Sequence, residues 1–217
     1  MHCERIALPT ELYPQDVYTI AANRQLFNTY FFNIINMMKI NGKKPEYMTN
    51  LYGNVLVPKT HGRIIFRGLV DTLQAEIIEA QVLASGLGEK ESCDKLGEIL
   101  SFLRALMAAE VKEIPLPPLF LFGMDVEEIH RQSHEAVICN AEGKPALPDY
   151  THGPLTARLN TLRARARETE LFSVRVFGPE GANEAGLASK EREDIVLALN
   201  RLSSALWLLT CQSCNKP

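Results

Sequence analysis

From about Arg63 onward the apolar residues recur at the spacing of one helical face. In RIIFRGLVDTLQAEIIEAQVLAS, the residues Ile64, Leu69, Leu73, Ile77 and Ala80 line up, and the pattern stops at Gly86. ESCDKLGEILSFLRALMAAEV repeats it with Leu96, Ile99, Leu103 and Leu106, and the prolines of IPLPPLFLFG forbid its continuation. A shorter helix, DVEEIHRQSH, starts at the capping residue Asp125. After the loop NAEGKPALPDYTHGP, a helix from about Pro154 to Val176 sets Leu159, Leu162, Ala166 and Thr169 on one face. GPEGANEAG is a turn-rich linker, and EREDIVLALNRLSSALWLLTC closes the chain on a stripe of Ile195, Leu199, Leu202 and Leu206. Five helices joined by loops, without strand alternation after residue 63, predict a mainly α protein built as an antiparallel five-helix bundle.

Residues 1–57 follow a different pattern. RIAL and LFNTYFFNIINM suit strands, and YPQDVYTIAANRQ suits a helix with Pro14 in its first turn. INGKKPE reads as a loop. The chain therefore divides into a small N-terminal α/β appendage over 1–57 and a helical-bundle domain over 58–217.

Composition narrows the function. With 46% hydrophobic and 23% charged residues among 217, the chain is ordinary globular protein. A net charge of -3 argues against a general nucleic-acid binder, so any anion site must be a local cluster. YFFNIINMM is too short to span a bilayer, and MHCERIALPTEL lacks the apolar stretch of a signal peptide. No membrane attachment is expected. The five cysteines are odd in number and irregularly spaced, which suits reduced thiols in the cytoplasm.

Several clusters carry candidate chemistry. In LNTLRARARETELF, Arg163, Arg165, Arg167, Glu168 and Glu170 crowd into two turns. Arg163 and Arg167 are four apart and share a face, with Glu170 one turn further along. The group reads either as a solvated face of weak internal ion pairs or as an anion clamp of planar guanidinium donors. In the last helix Asn200, Ser204, Trp207 and Cys211 form a stripe beside the apolar one, and Asn200 and Arg201 need partners. That stripe is either a buried polar network or a ligand-facing patch. Lys59, His61, Arg63 and Arg67 gather around Gly62, where a helix N-terminus would favour phosphate. His130 and His134 have metal-ligand spacing on one helical face, although Arg131 stands where the zinc-protease pattern needs Glu. CQSC is a lone Cys pair.

Taken in order, HGRIIFRGLVD, MDVEEIHRQSH, THGPLTARLNTLRARARETE and LNRLSSALWLL resemble the cobalamin adenosyltransferases, specifically their ethanolamine-utilization branch, with relatives in the propanediol-utilization type. The resemblance implies transfer of the 5′-deoxyadenosyl group from ATP to the cobalt of cob(I)alamin, with release of triphosphate and formation of adenosylcobalamin. It implies a five-helix bundle, a homo-oligomer with active sites between subunits, a divalent ion such as Mg²⁺, and a flavin or other reductase that supplies the reduced corrinoid. A cytoplasmic protein able to associate with a bacterial microcompartment is also implied.

Carried over residue by residue, Lys59 matches a phosphate-contacting lysine, with His61 and Arg63 beside it. Asp71 matches an acidic residue that pairs with an arginine of the neighbouring subunit. Asn200 and Arg201 match the Asn-Arg of the nucleotide site, and Glu168 the glutamate of the Arg/Glu helix. Arg165 with Glu168 satisfies the family's Arg-x-x-Glu, whereas Arg163 with Arg167 satisfies its Arg-x-x-x-Arg, so all three arginines are carried as ATP contacts. The aspartate that closes the Asn-Arg-Leu-Ser-Asp motif of relatives is Ser204 here, and their N-terminal Thr-Gly-Asp loop has no counterpart. For the apolar wedge that displaces the cobalt's lower ligand, Pro145 occupies the usual position, so either Phe120, Phe122 or Tyr150 supplies it or PPLFLFG simply packs the end of the bundle. The rival reading is a non-catalytic corrinoid- or nucleotide-binding carrier.

Overall fold

The computed structural model describes residues 44–139, 145–179 and 191–214. The strands and helix expected within residues 1–43 lie outside the described residues, as does most of the GPEGANEAG linker. The chain forms two compact units, residues 1–49 and 50–217, and the second carries the bundle.

Strands β1 (Met48–Tyr52) and β2 (Val55–Pro58) make a two-stranded sheet. They turn at Gly53, whose φ of 49° lies in the left-handed region that a Cβ would disfavour. After β2 the extended backbone of His61 caps α1 (Gly62–Gly86), its imidazole accepting the Arg63 backbone N–H at 3.2 Å. The link over 87–89 is short, so α2 (Lys90–Lys112) folds back beside α1.

The end of α2 comes before the prolines of IPLPP. Glu113 adopts a left-handed φ of 55°, unusual for a residue with a side chain, and its carboxylate accepts from Arg63 Nη1 at 2.7 Å. Helix α3 (Val126–Glu135) starts where the Asp125 carboxylate accepts the backbone N–H groups of Glu127 and Glu128 at 3.1 and 2.9 Å. A two-residue pair follows, β3 (Ile138–Cys139) antiparallel to β4 (Pro145–Ala146). No strand was expected there. The alternation is too short to be read from side chains, since each strand contributes one residue per face.

A 3-10 turn over Tyr150–His152 leads into α4 (Gly153–Phe177), with Pro154 in its first turn. Helix α5 (Glu193–Cys214) runs one turn beyond the expected end at Cys211. These five described helices bury one shared core. α4 packs along α5, α1 touches both α2 and α4, and α3 lies on α5. Leu73, Ile77, Leu103, Leu159 and Leu202 are fully buried, and Phe66 meets Phe177 edge-to-face at 5.0 Å. Small buried residues, Ala166 and Thr169 on α4 and Ala198 and Ala205 on α5, let those two backbones approach closely. The hydroxyl of Thr169 donates to Arg165 O at 2.9 Å, so its burial leaves no open donor. Helix α5 is long and apolar enough to cross a membrane, but its apolar stripe is buried against the bundle.

One charged cluster sits inside this frame. Glu110 on α2 is fully buried and holds two arginines of α1, Arg63 Nε and Arg67 Nε, each 2.5 Å from a different carboxylate oxygen. Arg63 Nη2 also donates to Glu110 O at 2.9 Å, and Arg67 Nη1 donates to Leu51 O at 2.7 Å. The carboxylate thus joins α2 to the start of α1 and, through Arg67, to β1.

Two predictions follow from this corner. Glu110→Gln should cost about 3–5 kcal/mol in urea unfolding, because it removes the buried charge that holds buried Arg63 and half-buried Arg67. Glu113→Gln, at a partly exposed rim, should cost under about 1 kcal/mol in the same experiment. His61 supplies a pH signature. Burial first, then the charges of Arg63 and Arg67, lower its pKa from the ordinary 6.5. Above pH 6.5 the imidazole is neutral in folded and unfolded chains alike, and its cap is intact. As pH falls below 6.5 the unfolded chain binds the proton first, so stability is lost until the folded pKa is passed. His61→Asn, which keeps a capping oxygen, should therefore show a smaller loss of urea midpoint between pH 7 and pH 5.5 than the unaltered protein.

A candidate anion-binding groove between three helices

A helix turns by roughly 100° per residue, so the charges of α4 cannot share one face. The structure sorts them. Arg158 and Arg165 turn toward α1: Arg158 pairs with Glu79, and Arg165 Nε lies 3.2 Å from Glu76 Oε1. Arg165 Nη1 is also 2.5 Å from Glu168 Oε2. Neither Arg163 nor Arg167 pairs with a carboxylate among the described residues, and both line two grooves.

The first groove, about 540 Å³, runs between α1 and α4 and is mainly apolar, with Ile65, Leu69, Leu171 and Phe172 along it. The second, about 370 Å³, lies between α3, α4 and α5. Here Arg163 and Arg167 face Asn200 and Arg201 of α5. The guanidinium carbon of Arg163 is 5.9 Å from the Trp207 ring centroid, and its Nε donates to Asn160 Oδ1 at 3.0 Å. Arg167 is exposed and makes no hydrogen bond or ion pair within the described residues. His130 and His134 of α3 close the groove from above, and Ser203 and Ser204 complete its floor.

A relay orients the α5 side of this groove. Asn200 Nδ2 donates to Glu170 Oε1 at 2.8 Å, and Arg201 Nη1 donates to Asn200 Oδ1 at 2.5 Å. Arg201 Nε is buried without a hydrogen-bond partner among the described residues. Such an N–H is costly unless something accepts it, and a ligand oxygen would do so. The partner of Arg201 is therefore the Asn of its own motif, held by α4.

The structure gives the two glutamates different partners. Glu168 is exposed and serves Arg165, whereas Glu170 accepts from Asn200. Glu170 was not among the expected contacts. The spacing Arg163-x-x-x-Arg167-x-x-Glu170 also satisfies both family patterns in one register.

The remaining expected residues lie elsewhere. Lys59 is exposed ahead of α1, His61 caps that helix, and neither lines a groove. Arg63, expected to contact phosphate, has its donors occupied by Glu110 and Glu113, because a fully buried carboxylate demands a cation. Asp71 is exposed on α1 and makes no ion pair among the described residues, which leaves it accessible to another chain. Phe120 and Tyr150 are exposed, whereas Phe122 packs against the core under Lys95, 5.7 Å from its ring centroid. None of the three aromatics lines either groove. His130 and His134 meet edge-to-face at 4.6 Å, and no third His, Cys, Asp or Glu joins them as a ligand among the described residues. Cys211 and Cys214 are free thiols, and burial pushes that of Cys211 up to about 12, far from a metal-binding thiolate.

The sequence profile of the cobalamin adenosyltransferase family matches residues 41–213. The chain is 30% identical over 174 residues to the corrinoid adenosyltransferase EutT of Salmonella typhimurium strain LT2, an alignment covering 80% of this chain and 61% of that protein. The EutT of Escherichia coli K12 matches to the same extent. The chain thus spans about three-fifths of the length of the curated relatives it matches. The match reaches from the sheet before α1 to the last turn of α5, and on it the chain belongs to the cobalamin adenosyltransferase family.

Proposed function

We propose that this protein is an ATP:corrinoid adenosyltransferase, and that the groove between α3, α4 and α5 seats the triphosphate of ATP. The observation that carries this reading is the convergence of Arg163, Arg167 and Arg201 on one groove that no carboxylate lines. Three guanidinium groups would repel one another there without an anion between them.

In the reaction, the cob(I)alamin cobalt attacks the C5′ carbon of ATP. The C5′–cobalt bond forms as the C5′–O5′ bond breaks, and the triphosphate leaves with the electron pair. Cobalt brings both electrons of the new bond and is formally oxidised to Co(III). The protein holds the nucleotide in line and neutralises the charge that gathers on the departing oxygen. Arg163 and Arg167 reach the triphosphate from α4. Arg201, aimed by Glu170 through Asn200, reaches it from α5.

A divalent ion finds no group of three or more potential ligands among the described residues, so it would enter on the nucleotide's own phosphates. The apolar groove between α1 and α4 is the face we assign to a second copy of the chain, with Asp71 on the same helix available to an arginine of that copy. Lys59, exposed before α1, would then serve a site shared between copies.

Two experiments test this. Mixed anaerobically with Mg²⁺-ATP and chemically reduced cob(I)alamin, the protein should convert the cob(I) absorption band into the light-sensitive spectrum of adenosylcobalamin, with one triphosphate released per turnover. Corrinoid or ATP binding without triphosphate release would point instead to a carrier. In the same assay Arg167→Ala should lower kcat/KM for ATP by about 100-fold, with its urea midpoint unchanged. Arg165→Ala should do the reverse, lowering stability through the lost Glu76 and Glu168 contacts while kcat/KM changes little.

A further inference from the structure

The nucleotide groove has a third wall that the Arg and Asn-Arg motifs do not account for. His130 and His134 stand one turn apart on α3 and both line the groove with Arg163, Arg167, Asn200 and Arg201. Neither imidazole makes a hydrogen bond to protein within the described residues; their contact is with each other, edge-to-face at 4.6 Å. Every charged neighbour of theirs in the groove is a guanidinium, and the uncharged ones are Ser133, Asn200, Ser203, Ser204 and Trp207. Of the other charges on α3, Arg131 holds Glu128 at 2.6 Å and Glu135 at 2.9 Å, and exposed Glu127 does not line the groove.

We propose that His130 and His134 are binding residues for the polyphosphate, each donating a ring N–H to an oxygen of the ligand seated by Arg163, Arg167 and Arg201. The inference rests on the reading of this groove as the triphosphate site. Three observations support it. The lining carries donors and no carboxylate, so the ligand it suits is rich in acceptor oxygens. A metal held by the pair would need a third protein ligand that is absent among the described residues, and it would stand against three cations. Finally, α3 is fixed by the Asp125 cap and by buried Ile129 rather than by either histidine, so the two rings are not needed to hold the helix. The triphosphate is thereby gripped from three helices.

The test is direct binding of inorganic triphosphate to the full-length protein by calorimetry, in buffer containing a chelator. Unaltered protein should bind. The double variant His130→Phe, His134→Phe keeps ring shape without the donor and should bind about tenfold more weakly or worse. The double variant to Gln restores an N–H donor and should recover much of the loss. Arg131→Ala, which removes a charge from the same helix outside the groove, should leave affinity unchanged. In turnover the Phe pair should raise KM for ATP with a smaller change in kcat. Unchanged affinity in the Phe pair, alongside loss in Arg167→Ala, would overturn the inference and leave the groove assignment standing. Absence of triphosphate binding by unaltered protein would overturn both. An effect of the Phe pair that appears only when Zn²⁺ replaces the chelator would also overturn it, because the histidines would then act through a metal.

Discussion

The buried carboxylate of Glu110 is the constraint on which the functional end of the bundle depends. A charge taken fully out of water must be met by opposite charge, and it draws Arg63 and Arg67 of α1 onto α2 at 2.5 Å each. Arg67 in turn reaches Leu51 O, and Arg63 reaches Glu113, whose left-handed backbone stops α2. The start of α1, the end of α2 and the hairpin before them are thereby locked together. That lock sets the rotation of α1 about its own axis, which decides where Glu76 and Glu79 meet α4.

The meeting of α1 with α4 explains how one helix can carry so many charges without confusion. Glu76 and Glu79 claim Arg165 and Arg158, the arginines that face α1. What remains, Arg163 and Arg167, lines the groove beside α5, where Glu170 orients Asn200 and, through it, Arg201. Arginines paired to α1 and arginines lining the groove alternate along the same two turns. Their division is set by which neighbouring helix offers a carboxylate, and the groove is cationic because no carboxylate lines it.

Much of the site was legible in the sequence. Arg163 and Arg167 at i, i+4, and Asn200, Ser204 and Trp207 on one stripe of α5, were expected to face together, and they line one groove. Of the two readings of the last helix, the polar network is visible: Glu170, Asn200 and Arg201 are hydrogen-bonded across α4 and α5. Arg63 could not be placed from spacing alone. A basic residue at a helix start looks the same whether it waits for phosphate or answers a carboxylate 47 positions away. Glu168 and Glu170 were equally ambiguous, since both sit near arginines and only the packing of α5 distinguishes them.

By itself, the sequence determined the helices, most of their boundaries, the apolar faces and the family. These depend on local matters: the 3.6-residue period, capping side chains such as Asp125, and motifs in fixed order. Only the tertiary structure decided which charges pair with one another and which line an open groove. Ion pairing depends on distances between side chains on different helices, and these are fixed by how the helices pack and rotate. The same holds for His130 and His134, whose spacing on α3 was plain but whose groove exists only once α3 is laid across α5.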